Sequence, residues 1–237
     1  MSRRRHKRAT IDKTLQQAVI EKLSHEGSGI ARIEGKTTFI QGALPGETVM
    51  FIPTENKKDY AKGIATEILT SSEDRVPPPC PHYDVCGGCS LQHFDAEKQI
   101  QFKEQVLLEN LKHIGEVEPK RILKPMQGDK LAYRHKARLS VRYVEKKESV
   151  LVGFRERLSG RFIANIETCS ILHTSTGLLI RPFRNLIGTL SNFRKIAQIE
   201  VAVGENKTVL ILRHLEPFNE NDFVLLEDFA DKHNICW

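Results

Sequence analysis

Three cysteines close together, Cys80-x5-Cys86-Gly87-Gly88-Cys89, and a fourth far downstream at Cys169, constrain this chain more than anything else in it. A metal centre built on thiolates draws its ligands from several directions, so a short loop supplies three and a remote segment closes the site. Gly87 and Gly88 fit that use, because residues without Cβ can take positive φ and let backbone N–H groups approach sulfur. The run Pro77-Pro78-Pro79 and Pro81 stiffens the entry and disfavours a helix there. Disulfides are the poorer reading, since the start is Arg-rich with no apolar stretch after it, unlike a secretory signal. Zinc sites usually pair C-x-x-C with another such pair or with His at short spacing. Here five residues separate the first two thiols and the fourth lies about 80 residues beyond the third. The spacing therefore favours a four-thiolate [4Fe–4S] cluster, while zinc stays open, with His82 and His93 as substitute ligands. Cys236, the one thiol left over, reads as a small core hydrophobe at the start of a strand.

No stretch approaches 18 apolar residues, so no membrane span is expected. The 237 residues carry a formal charge of +6, which favours an anionic partner. Ser2-Arg3-Arg4-Arg5-His6-Lys7-Arg8 opens residues 1–13, read as a basic disordered tail. A second basic concentration spans residues 129–161, with ten Lys/Arg against four acids. There Ala137, Leu139, Val141 and Tyr143 alternate with Lys136, Arg138, Ser140 and Arg142, which places the first set on a core face and the second on a solvent face. Extended back to Arg134, this is a ridge of cations, Arg134, Lys136, Arg138 and Arg142, spaced about 7–14 Å apart at the rise of a strand. That spacing suits successive phosphates of a nucleic acid.

Residues 14–70 break into five short strands, Gln17–Leu23, Ile30–Ile33, Thr37–Ile40, Thr48–Ile52 and Ala61–Leu69, with glycine in nearly every turn. A small closed β-barrel of the OB-like kind is expected, a shape that presents loops to oligonucleotides. Lys57-Lys58-Asp59-Tyr60 offers cations and an aromatic ring for that purpose. Residues 71–237 read as an α+β domain. An amphipathic helix runs from an Asp95 cap to about Ile114 (Ile100, Val106, Leu107, Leu111), ended by Gly115. Strands are expected over 132–144, 150–156 and 160–166, the last leading to Cys169. A mostly helical stretch follows over 174–193, started or kinked by Pro182. A hairpin pairs 196–203 with 209–214, a helix runs from Asn219 or Asn221 to about Lys232, and Ile235-Cys236-Trp237 begins a further strand.

The run Arg75-Val76-Pro77-Pro78-Pro79-Cys80-Pro81-His82-Tyr83-Asp84-Val85-Cys86-Gly87-Gly88-Cys89-Ser90-Leu91-Gln92-His93 resembles the cluster loop of the RNA uracil-C5 methyltransferases. Tyr133–Ser140, Val152-Gly153-Phe154-Arg155 and Ile166–Leu172 support the likeness, and Gly27-x-Gly29 with Leu44-Pro45-Gly46-Glu47 resembles that family's TRAM barrel. Having both thiols and barrel is similar to the type that acts on bacterial 23S ribosomal RNA. The resemblance implies that Cys80, Cys86, Cys89 and Cys169 ligate a structural [4Fe–4S] cluster. In the complete enzyme a cysteine thiolate adds to C6 of a flipped-out uracil, and C5 then takes the methyl of S-adenosylmethionine. The motifs of the family's Rossmann-like methyltransferase domain are not found, so that domain is expected to be absent and the chain inactive alone. The expected role is the N-terminal portion of such an enzyme, gripping 23S ribosomal RNA as a cytoplasmic monomer without membrane contact. A stand-alone iron–sulfur RNA-binding module without catalysis is the alternative.

Overall fold

A computed structural model describes residues 14–237, and the basic tail expected over residues 1–13 lies outside them. The described chain divides into two compact units, one of residues 14–77 and 90–125, the other of residues 78–89 and 126–237.

The first unit holds β1 (Gln16–Val19), β2 (Lys22–Leu23), β3 (Gly29–Ile33), β4 (Lys36–Gln41), β5 (Thr48–Asn56), β6 (Tyr60–Thr70) and the helix α1 (Ala96–His113). The strand order is β1-β5-β6-β4-β3-β2. The chain bends between β1 and β2: the Ile20 N–H donates to Glu47 and the Glu21 N–H to Ile30, at 2.9 and 2.8 Å. One bent segment thus pairs with β5 at its start and β3 at its end, and the ladder closes as a five-stranded barrel. Closure leaves no free edge and encloses Ala18, Ile20, Ala31, Ile40, Val49 and Phe51. Gly63 is required on β6, because a Cβ there would stand 2.3 Å from the Phe51 ring.

Asp95 caps α1, its carboxylate accepting from the Glu97 and Lys98 N–H groups. The helix buries no residue, and Leu107 and Ile114 are exposed. The apolar spacing that suggested a core-facing stripe therefore makes a helix without burying one. The helix groups with the barrel rather than with residues 126–237.

The second unit is a four-stranded antiparallel sheet, order β10-β9-β7-β8, from β7 (Lys136–Val144), β8 (Ser149–Gly153), β9 (Ile196–Val203) and β10 (Thr208–His214). One face packs on α2 (Thr174–Gly177), α3 (Ile180–Thr189) and α4 (Glu220–His233), through Leu139, Val141, Ile199, Ile180, Phe183 and Ile187. Pro182 sits in the first turn of α3, where its missing N–H costs no helical bond. Asn219 and Asp222 form a capping box at the start of α4.

Three expectations need correction here. Residues 160–166 make no strand: Glu156 and Ala164 N–H groups join this stretch to 154–156, but only one bridge forms, Arg155 with Ile163. Ile163 and Ala164 are both buried, so the alternation that a half-buried strand needs is missing. Strand β7 begins at Lys136 rather than 132, and Arg134 belongs to a separate parallel bridge with Leu172. Cys236 is exposed; it pairs in parallel with Val209 on β10, and its neighbours Ile235 and Trp237 pack inward instead.

Candidate metal centre and nucleic-acid interface

The Pro-rich segment delivers the cysteine loop to the second unit, where residues 85–87 lie antiparallel to 155–157. The Gly87 N–H donates to Arg155 and the Arg157 N–H to Val85, both at 2.9 Å. Neither Gly87 nor Gly88 has positive φ, so their lack of Cβ serves close approach. A Cβ on Gly87 would come 3.0 Å from the Arg155 carbonyl, and one on Gly88 would come 3.1 Å from the Phe154 ring and 3.4 Å from the Cys86 sulfur. Cys169 is fixed from the other side: its N–H donates to Gly177 at 2.8 Å, and its carbonyl would lie 2.5 Å from a Cβ at Gly177. The same segment is pinned to 132–134 through Ala132 to Ser170 and Arg134 to Ile171.

Cys80, Cys86 and Cys169 feel one another electrostatically, and Gly88 N–H bonds the Cys86 sulfur as Ile171 and Leu172 N–H bond that of Cys169. Burial pushes the Cys86 and Cys169 thiols up from the usual range, and their fellow thiols add to this, against a downward pull from Arg157 and Arg134 respectively. Cys89 is held through its carbonyl, which accepts from the Arg157 guanidinium at 2.9 Å. Among the described residues no group of three His, Cys, Asp or Glu is gathered so as to hold a metal ion. His82 is committed elsewhere, its Nε2 accepting the Glu167 N–H at 3.2 Å, and His93 lies in the other unit.

The basic ridge is shorter and less uniform than the alternation implied. Lys136, Arg138 and Arg142 are exposed on β7. Glu200 stands opposite Arg138 in the register and hydrogen-bonds Arg213 across the sheet. The Arg213 bond first, then the charges of Arg138 and Lys136, hold the Glu200 carboxyl below its ordinary range. Val209 and Ile211 on β10 are exposed beside them. Opposite Arg142, Leu151 is buried, so the open face runs over β7, β9 and β10 only. Arg134 is half-buried, its guanidinium 5.7 Å from the Phe154 ring centre and within electrostatic reach of Cys169. It stands with the cysteines, not with the ridge. Arg157, 4.0 Å over the Tyr83 ring, plays a comparable part that sequence reasoning missed; only its place in the basic stretch marked it. In the barrel, Tyr60 meets Phe39 edge-on with centres 6.1 Å apart, and Lys57 is paired with Glu55 at 3.2 Å.

Residues 14–66 match the TRAM domain. A protein named 23S rRNA (uracil(1939)-C(5))-methyltransferase RlmD from Legionella pneumophila (strain Corby) is 51% identical over 219 residues, 92% of this chain and 49% of its own length. Proteins of the same name from Alcanivorax borkumensis and Bordetella avium are 47% and 45% identical over 100% and 92% of the chain. Over at least 92% of its length the chain is thus similar to proteins named RlmD. It spans about half the length of the curated relatives it matches. The Pyrococcus abyssi tRNA (uracil-54, C5)-methyltransferase, solved with S-adenosyl-L-homocysteine, shares the fold at a TM-score of 0.62 and 19% identity, over 88% of this chain and 48% of that one.

These matches correct two expectations, that the family's methyltransferase domain is absent and that the chain is inactive for want of it. The solved tRNA methyltransferase shares its fold over 88% of this chain, and relatives named as methyltransferases match 92–100% of it. Where these 237 residues stop therefore carries no argument about activity. Among the described residues no helix is long and apolar enough to cross a membrane.

Proposed function

We propose that the protein to which these residues belong methylates C5 of a uracil in 23S ribosomal RNA, and that this chain supplies its RNA grip and its iron–sulfur site. One observation carries the reading: identity of 45–51% to RlmD proteins across 92% or more of the chain. S-adenosylmethionine would supply the methyl group, in keeping with the S-adenosyl-L-homocysteine bound to the structural neighbour. The TRAM barrel and the exposed cations Lys136, Arg138 and Arg142 would hold RNA, phosphates setting position and splayed bases setting sequence. The protein would act as a cytoplasmic monomer.

Cys80, Cys86, Cys89 and Cys169 would hold a [4Fe–4S] cluster. The donor chemistry fits: four thiols in one unit, two of them accepting backbone N–H bonds at sulfur, the second sphere that thiolate-ligated clusters use. A single zinc ion, with Zn–S bonds of about 2.3 Å, would need its sulfurs within about 4 Å of one another; a four-iron core spreads the same ligands wider. Burial disfavours the bare thiolates, so the positive charge of the metal core would hold them ionised, and its binding would be coupled to folding of this unit. Four protein thiolates leave no iron position open to substrate, which makes the role structural.

The test uses the protein from its entire reading frame, purified anaerobically, with unmethylated 23S ribosomal RNA and labelled S-adenosylmethionine. Label at uracil C5, with iron and acid-labile sulfide near four each per protein, is the expected result. RNA binding with no methyl transfer would replace this reading by the stand-alone binding module. Zinc in place of iron would overturn the cluster.

A further inference from the structure

The sheet that carries Lys136 ends in a cleft of about 460 Å³ whose lining includes His135, His173, Ser175, Lys207, Thr208 and His233. Three parts of the second unit frame it: the segments that lead into β7 and α2, the turn between β9 and β10, and the end of α4.

Two chemistries are excluded by the geometry. The three imidazoles are no metal site, since among the described residues no three His, Cys, Asp or Glu are gathered to hold an ion. Ser175 and His173 are no nucleophile and base either. The Ser175 hydroxyl stands 2.8 Å from His173 Nδ1, but that nitrogen also accepts the Ser175 N–H as the cap of α2, and the hydroxyl accepts from Thr208 at 2.9 Å. The serine is tied into a cap, not poised beside a free base.

Hydrogen-bond donors remain. With Nδ1 of His173 accepting, its hydrogen sits on Nε2. His135 Nδ1 lies 3.0 Å from the Tyr133 carbonyl and donates to it, so protonation would make its Nε2 a donor as well. The two rings are 5.1 Å apart; as cations they repel, and an anion between or beside them relieves that repulsion. Lys207 adds a fixed charge, with Glu205 the one acid on the lining. His233 is held below its ordinary range by burial first and Lys232 second.

We infer that this cleft binds a phosphate of the RNA strand, as a subsite continuous with the exposed cations of β7. His135 immediately precedes Lys136, and its carbonyl accepts the Val203 N–H at 2.8 Å, so cleft and ridge belong to one sheet. The inference rests on the RNA-binding reading above. The Nε2–H of His173 and the ammonium of Lys207 give the cleft the donors that a phosphodiester oxygen needs.

The experiment titrates the whole protein with a fluorescein-labelled 23S ribosomal RNA fragment across salt concentrations. Lys207→Gln is expected to lower the log–log salt slope by roughly 0.7, one phosphate on single-stranded RNA. His135→Gln with His173→Asn, an exchange that keeps an N-cap acceptor, is expected to weaken RNA binding several-fold at low salt. Histidine Cε1–H resonances of the unchanged protein should shift with inorganic phosphate. RNA binding whose slope and affinity ignore all three substitutions overturns the subsite and leaves the RNA reading standing. No RNA binding by the unchanged protein overturns both.

Discussion

Arg157 lies 4.0 Å over the ring of Tyr83 while its guanidinium donates to the Cys89 carbonyl at 2.9 Å. One side chain from the strand side thus braces both flanks of the cysteine loop. A charged hydrogen bond is worth about 1.5–3 kcal/mol and a cation over a ring about 0.5–2. Arg157→Gln should therefore destabilise the second unit by about 2 kcal/mol in urea unfolding and speed loss of iron to a chelator. Arg157→Lys, which keeps charge but loses the planar fork, should recover part of the chelation resistance and little of the stability. Unchanged chelation kinetics in both variants would remove Arg157 from the site.

The ligand assignment has its own test. If these thiols ligate the proposed cluster, Cys86→Ser or Cys169→Ser should remove iron and sulfide together and broaden the unfolding transition of the second unit, because cluster binding would be coupled to folding there. Cys236→Ser, on an exposed thiol, should leave both untouched. Retained iron in the Cys169 variant would defeat the four-thiol set.

What could be read from residues alone follows a physical line. Strand β7 was legible because one face is buried and the other is not, so Leu139 and Val141 alternate with Arg138 and Arg142. The caps at Asp95 and Asn219 were legible because short polar side chains announce a helix start. Contacts between distant segments left no such trace. The bend at Ile20–Glu21 that closes the barrel, the bracing of the cysteine loop by Arg157, and the departure of Arg134 toward Cys169 all depend on partners far along the chain. Residues 160–166 misled because β-favourable composition without alternation suits any buried segment.

In the barrel unit, Glu47 is fully buried and its carboxylate takes two bonds from Arg75, at 2.5 and 2.7 Å, and further bonds from the Leu44 and Ser72 N–H groups. Burial alone would raise this carboxyl, but Arg75 and the two N–H groups outweigh it, and it is held below its ordinary range. A depressed folded-state value contributes stability that is complete above about pH 4.3 and is lost as pH falls through the folded value. Glu47→Gln should cost about 3–5 kcal/mol at neutral pH, by stranding Arg75. It should also flatten the acid limb of stability that the unchanged protein shows. Glu47→Leu with Arg75→Met should cost less than the single change. An acid limb of the same steepness in Glu47→Gln would show that another carboxylate governs it.

The ridge on β7 makes the sharpest prediction about RNA. Lys136, Arg138 and Arg142 are exposed, and Glu200 partly neutralises Arg138 from the next strand. Changing the three cations to Gln should lower the salt slope of RNA binding by about 2 on single-stranded RNA. Glu200→Gln should act in the opposite sense, tightening binding at low salt by freeing Arg138 and Arg213 for phosphate. Arg134→Gln should leave the slope nearly unchanged and instead loosen the Cys169 segment, since its guanidinium lies over Phe154. Filter binding from low to moderate salt separates these outcomes. A slope that drops as much for Arg134→Gln as for Arg138→Gln would return Arg134 to the RNA face, and a Glu200→Gln protein that binds more weakly would place the strand elsewhere.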